Sequence, residues 1–278
     1  MRQFVAETFP DSNGCILVDG KKARHLAQVL RLCVGDMVLA RLPDGAVQSM
    51  TVASVGQGKK SICLQVAGDM VRASVNKAAP ADFSPECELW HFQFVAKPPK
   101  MDLILRQAVE CGVSRFVPVV GSFCQIGSIE SAVKKSDGGD QRWARLITEA
   151  REQSGSPVNT EVLPCCSLKD AVNIWKEELG ACSGRESVAL VLYEQTRGTL
   201  PLHKIVGLAG QDGKIRKAAL FVGAEGGISP EEIDFMQKNG IIPVHFATNV
   251  LRCETAAVYG IAALQNALVE KDIWQFRE

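Results

Sequence analysis

The chain has 278 residues, 46% of them hydrophobic and 22% charged, with Lys plus Arg and Asp plus Glu balanced at 31 each. Such a composition builds a sizeable core and excludes a mainly disordered, collagen-like or coiled-coil protein. Zero net charge excludes a uniformly basic nucleic-acid coat, though not a local basic face.

At roughly 150 residues per domain, the length suggests about two domains. No run reaches the roughly 18 apolar residues that a bilayer span needs. The opening MRQFVAETFPDSNG meets Glu7, Pro10 and Asp11 before an apolar stretch develops, so a soluble cytoplasmic chain without secretion signal or membrane partner is expected. The ten cysteines are scattered, without C-x-x-C and without zinc-ligand spacing to the four histidines. They read as reduced thiols, and no metal is expected.

Along the chain, short apolar runs at Cys15 to Val18, Met37 to Arg41, Ala46 to Val55 and Ser61 to Val66 alternate with Gly-containing turns, which predicts a small β-rich domain over residues 1–70. Ala23, Leu26, Ala27 and Leu30 form a helical stripe within Lys21 to Leu32. A small-residue, Pro-containing stretch over 71–86 reads as a linker. Residues 87–278 then alternate strand and helix. Strands are expected at Glu88 to Ala96, Phe116 to Val120, Ser187 to Tyr193, Ala218 to Val222 and Ile241 to Phe246, with helices at Met101 to Cys111 and around Trp143 to Ala150. Pro98-Pro99 is expected to break the first of these strands, and a loop is expected from Gly121 through Asp140. This rhythm predicts a mostly parallel α/β sheet.

Two segments carry candidate chemistry. In the first, a strand ending at Val222 meets Gly223-Ala-Glu-Gly-Gly227, then a helix with Ser229 as N-cap, Pro230 in its first turn and Glu232 three residues after the cap. Glycines let backbone approach a ligand closely, and open α/β sheets bind ligands at the carboxyl ends of their strands; an ordinary left-handed turn reads the same way. The second segment runs from Ile241 through Thr248, Asn249, Val250 and Leu251 into a helix whose first residues include Arg252, Glu254 and Thr255. Those charges are either site residues or a solvated surface pair. His91, in an apolar run, reads as a satisfied core histidine, and His245 as a packing residue beside the loop.

Taken in order, these segments resemble the bacterial ribosomal small-subunit RNA uridine N3-methyltransferase family of the SPOUT superfamily. Arg2, Phe4, His25 to Leu32 and Gly35-Asp36 resemble its N-terminal PUA-like RNA-binding barrel. Lys97, Lys100-Met101, Cys111 to Val113, Arg142-Trp143, Glu149-Ala150 and Glu152 to Ser154 resemble its first catalytic helices. Tyr193-Glu194, Gly223 to Gly227 and Leu251 to Ala256 complete the pattern. Departures occur at Ala224, where the family usually has proline, and at Ala247 and Asn249, which replace a glycine and an arginine. Ser156 and Cys124 lie near positions that are commonly arginine.

The resemblance implies a C-terminal SPOUT α/β domain with a trefoil knot, an obligate homodimer, and S-adenosyl-L-methionine as cofactor. The substrate would be small-subunit (16S) ribosomal RNA, free or in an assembled small ribosomal subunit. It places the cofactor on Tyr193, Glu194, Val222, Gly223, Glu225, Gly226, Gly227, Phe246, Ala247, Thr248, Val250, Leu251, Thr255 and Ala256. It nominates Arg252 to stabilise charge on the uracil edge and Glu254 to orient Arg252 or the loop. RNA contacts are expected at Arg2, Arg24, His25, Arg31, Lys97 and Lys100, where the basic helix residues are equally a solvated face. The alternatives are an inactive RNA-binding homologue, distinguished by failure to bind the cofactor, and a SPOUT methyltransferase acting on another RNA target.

Overall fold

A computed structural model of the chain describes residues 3–67, 87–179, 186–196, 198–209 and 215–269. Arg2 and the linker expected at 71–86 lie outside these residues. Two units separate, Met1–Ser84 with Arg151–Pro157, and Pro85–Ala150 with Val158–Glu278.

In the first unit, β1 (Gln3–Val5), β2 (Cys15–Asp19), α1 (Gly20–Arg24), β3 (Met37–Arg41), β4 (Val47–Val55) and β5 (Ser61–Val66) follow in chain order. The sheet order is β1-β3-β4-β5-β2, with β1 parallel to β3 and the other pairs antiparallel. Strand β2 shows the half-buried alternation that its sequence carries, with Ile16 and Val18 inside and Leu17 outside. The expected helix over 21–32 is shorter: α1 passes into a single π-helical turn at His25–Val29, and Arg31, at φ 53°, takes the left-handed conformation just past it. Its stripe still buries Ala23, Leu26 and Ala27 in the core formed by Phe4, Ile16, Val38, Met50, Ile62 and Leu64. Residues 151–157 join this unit through specific bonds. Glu152 Oε1 accepts from the Val5 amide at 3.1 Å, and Arg41 Nη2 donates to the Gly155 carbonyl at 2.7 Å.

The second unit runs β6 (Glu88–Phe94), α2 (Pro98–Glu110), β7 (Arg115–Val120), α3 (Ile126–Ser136), α4 (Arg142–Ser154, its last turn grouped with the first unit), β8 (Glu161–Val162), β9 (Cys166–Ser167), α5 (Leu168–Leu179), β10 (Ser187–Leu192), α6 (Leu202–Ala209), β11 (Lys217–Val222), α7 (Pro230–Lys238), β12 (Ile242–Val244) and α8 (Cys253–Val269). The sheet order is β12-β10-β11-β6-β7-β8, with β9 also on β7, and every described pairing is parallel. A parallel sheet covered on both faces needs strands apolar on both sides. Strand β6 accordingly sends Leu89 to one core and Trp90, Phe92 and Phe94 to the other. Phe92 stacks on Phe221 of β11 at 4.2 Å between ring centroids.

Several expectations change. Pro98 and Pro99 open α2 instead of merely ending β6, because proline fits the first helical turn, where amides lack partners anyway. The expected loop from Gly121 to Asp140 contains α3. Helix α2 is fastened to its neighbours by Asp102, which is nearly buried. Its carboxylate accepts from Lys135 at 3.0 Å, Arg142 Nε at 2.5 Å and Trp143 Nε1 at 2.8 Å. Burial pushes the Asp102 pKa upward, but these three donors outweigh it and hold the carboxyl below its ordinary value. His91 is fully buried yet only half satisfied, since its Nε2 meets Gln93 while Nδ1 has no partner.

Candidate active site

At the carboxyl ends of β10, β11 and β12, three loops and the start of α2 enclose a cavity of about 390 Å³. That size suits a small organic ligand. The loop after β11 is a tight turn in which the Gly227 amide donates to the Ala224 carbonyl at 3.0 Å and Gly227 adopts φ 76°. A capping box then starts α7, with Ser229 Oγ accepting from the Glu232 amide and the Glu232 carboxylate accepting from the Ser229 amide at 2.9 Å. The other two loops are tied together. The Tyr193 amide donates to the Val244 carbonyl at 2.9 Å, and His245 Nδ1 lies 3.2 Å from the Tyr193 carbonyl oxygen.

The cavity wall holds Tyr193, Glu194, Val222, Gly223, Glu225, Gly226, Gly227, Phe246, Thr248, Val250, Leu251 and Ala256, all expected there, together with Arg252. Ala247 and Thr255 are exposed and lie outside the wall. Conversely, Leu192, Ile228, Val244, His245, Cys253 and Lys100 line it without having been expected on the cofactor, while Ala224 and Asn249 lie within the expected backbone stretches 223–227 and 246–251. His245 thus belongs to the wall instead of only packing near it. No sequence signal marks most of these residues, but Leu192 and Val244 follow from one rule: the last residue of each strand borders a site at the sheet's carboxyl edge.

Packing within the protein gives each of these glycines a reason of its own. A Cβ at Gly226 would come within 2.7 Å of Phe123 Cβ, so that glycine accommodates a protein side chain. A Cβ at Gly223 would meet Gly227 and Ile228 at 3.0 Å. Gly227 needs its left-handed backbone, and its open side faces the Glu194 carboxylate.

Charge is arranged around Lys100. Its ammonium lies 2.9 Å from Glu254 Oε2 and 3.6 Å from Glu225 Oε1, while Glu225 also accepts from the Lys97 amide at 3.2 Å. The lysine therefore bridges the β11 loop to the first turn of α8. The bond to Glu254 pushes the Lys100 pKa upward and outweighs burial, so it is a fixed cation. For Glu254, burial works to raise the pKa, but donors from Lys100, its own backbone amide and the Cys253 thiol bring it down to about 2. Burial, then the bond to Glu254, pushes the Cys253 thiol up to about 12.

Glu254, expected to orient Arg252 or the loop, is paired with Lys100 and through it faces Glu225 of the β11 loop. It lies outside the cavity wall. Arg252 immediately precedes α8, contributing its carbonyl to the Ala256 amide at 2.7 Å. Its exposed guanidinium makes no hydrogen bond or ion pair to the described residues. Lys100, expected on RNA, also lines the cavity. Lys97 is exposed at the N-cap of α2, and Arg24, His25 and Arg31 are exposed on the first unit.

A family model described as an RNA methyltransferase domain matches residues 84–265. A relative from Borreliella burgdorferi, Ribosomal RNA small subunit methyltransferase E 2, is 26% identical over 97% of this chain and 98% of its own length. A Ribosomal RNA small subunit methyltransferase E from Mycobacterium bovis is 27% identical over 94% and 90% of the respective chains. Among solved structures, Ribosomal RNA small subunit methyltransferase E from Neisseria gonorrhoeae, bound to S-adenosyl methionine, shares the fold with a TM-score of 0.74. It is 22% identical over 96% of this chain and 97% of that one.

Proposed function

The chain belongs to the RNA methyltransferase domain family, and from that premise we propose that it methylates N3 of a uridine in small-subunit ribosomal RNA, using S-adenosyl-L-methionine. The observation that carries this reading is the position of Arg252, an exposed guanidinium without a described partner, on the wall of a cavity framed by the loops after β10, β11 and β12. On this reading the first unit is a PUA-like barrel that holds RNA phosphates through Arg2, Arg24, His25 and Arg31. The second is a trefoil-knotted SPOUT domain, and the protein works as a homodimer.

The cavity's chemistry fits the cofactor. Leu192, Val222, Ile228, Val244 and Leu251 supply apolar wall for an adenine, and the backbone of 223–227 and 246–251 supplies amides and carbonyls for its polar edges. Glu194 would supply negative charge for the sulfonium, and Glu225, shared with Lys100, would hold the loop. When bound, S-adenosylmethionine supplies an electrophilic methyl group. Uridine N3 carries a proton at neutral pH; that proton must be lost to water for N3 to take the methyl group, and the charge that develops along O2, N3 and O4 as it leaves must be stabilised. Arg252 is suited to this because a guanidinium stays charged and offers forked donors. Lys100 holds its proton and Glu254 resists gaining one, so this pair orients the two loops and transfers no proton.

N3 lies on the Watson–Crick edge, so the target base must be unpaired or turned out. Incubating unmodified small subunits with the enzyme and cofactor should create a new reverse-transcription stop and 3-methyluridine by mass spectrometry. Arg252→Ala should lower turnover by about 10²–10³ while cofactor binding persists. Absence of 3-methyluridine on both free RNA and assembled subunits would refute the reaction. Unchanged turnover in Arg252→Ala would remove only the residue's role. Light scattering should find a dimer at micromolar concentration.

A further inference from the structure

Among the described strands of the second unit's sheet, the buried polar side chains are a pair on β6: His91 and Gln93, both fully buried. Gln93 Nε2 reaches the carbonyl oxygens of Phe94 at 3.0 Å, Val222 at 3.3 Å and Gly223 at 3.1 Å. The β6–β11 ladder ends with Gln93 opposite Val222, so the Gly223 carbonyl lies one residue past the sheet and is taken up by a side chain.

Three carbonyls accept only from a donor, and an amide turned the other way would set Oε1 against three oxygens. That fixes the amide, and its Oε1 then faces His91 Nε2 at 3.0 Å. The imidazole proton must sit on Nε2. The opposite nitrogen, Nδ1, is buried without a partner, as an uncharged lone pair tolerates better than an N–H. Burial lowers the His91 pKa to about 4, keeping the ring neutral. Phe116 lies against it, with ring centroids 5.6 Å apart.

Val222 and Gly223 both line the cavity. A Cβ at Gly223 would lie 3.0 Å from the Gly227 carbonyl carbon and from Ile228 Cγ1, so the end of β11 sits close against the rest of the turn. We propose that Gln93, aimed by His91, is a positioning residue that sets the β11 loop in the conformation that binds the cofactor. The link from loop to cofactor rests on the S-adenosylmethionine reading above.

Nitrogen-15 NMR of the imidazole at neutral pH should find the His91 proton on Nε2. In Gln93→Leu, amides of residues 223–228 should exchange faster. Affinity for S-adenosylmethionine by calorimetry should fall about tenfold or more, as buried carbonyls lose their donor. The KM for cofactor should rise while kcat at saturation stays close to wild type, a split that general destabilisation would not produce. A proton on Nδ1 would mean a reversed amide and overturn the proposal, even if Gln93→Leu failed to fold. A folded Gln93→Leu variant with unchanged exchange and affinity would overturn it equally. If the wild type binds no S-adenosylmethionine, the cofactor reading falls, and the exchange of residues 223–228 still decides whether Gln93 holds the loop.

Discussion

Replacing Lys100 by methionine keeps most of the side chain's length and removes the charge that bridges Glu225 and Glu254. A Glu254 pKa of about 2, against an ordinary 4.5, corresponds to at most about 3.5 kcal/mol at neutral pH, at ~1.4 kcal/mol per pKa unit. The two side chains retain 27% and 18% of their exposure, so solvent screening reduces the expected loss to about 1 kcal/mol. A depressed carboxylate pKa gives stability that is complete above the unfolded value and is lost as pH falls towards the folded one. The gap between wild type and Lys100→Met should therefore be constant near pH 7, shrink below about pH 4.5 and close towards pH 2. On the alkaline side, the raised Lys100 pKa means that its contribution persists through the ordinary lysine range and is lost only above it. Urea unfolding followed by tryptophan fluorescence at a series of pH values measures this gap. A gap of the same size at pH 7 and pH 3, or none at pH 7, would show that the ion pair is not what joins the two loops energetically.

Two further perturbations test the frame of the cavity. Gly227→Ala forces a side chain into φ 76° and should cost about 1–2 kcal/mol, with cofactor affinity falling alongside; calorimetric melting and titration on one preparation measure both. Asp102→Asn removes the charge shared by Lys135, Arg142 and Trp143 and leaves the 8%-exposed Lys135 ammonium without its carboxylate. It should destabilise by about 3–5 kcal/mol, seen as a large drop in the urea midpoint. A change below about 0.5 kcal/mol, the size of an ordinary surface substitution, would show that Lys135 finds solvent instead.

The elements most legible in the sequence are apolar runs bounded by turn residues. Strands β3 and β5 begin and end where the apolar runs do, and the Ser229 capping box is visible as residues of known geometry at known spacing. What escaped had no such mark. Strand β1 is three residues long, too short for alternation to emerge. Helix α3 buries only Ser128 and Ala132 among its side chains, so its apolar stripe is faint. The proline pair before Met101 was legible in composition but ambiguous in meaning, because proline ends one element and opens another with the same fixed angle.

The cavity shows the same division. Its glycine turn and the segment around Arg252 are contiguous in sequence and could be read as units. The interactions that set their geometry join residues distant in the chain: Lys100 reaches Glu254, and Gln93 reaches Gly223. Neither partner carries a local pattern that names the other. A lysine in the first turn of a helix reads as a solvated charge or a phosphate contact, and only the parallel register of β6 with β11 brings Gln93 to the end of the strand that opens the glycine turn. Pairing specificity in a parallel sheet is decided by long crossovers. The two contiguous segments that form most of the cavity wall are therefore legible as units in the sequence, whereas the contacts that hold them in shape become identifiable only once the strand order is known.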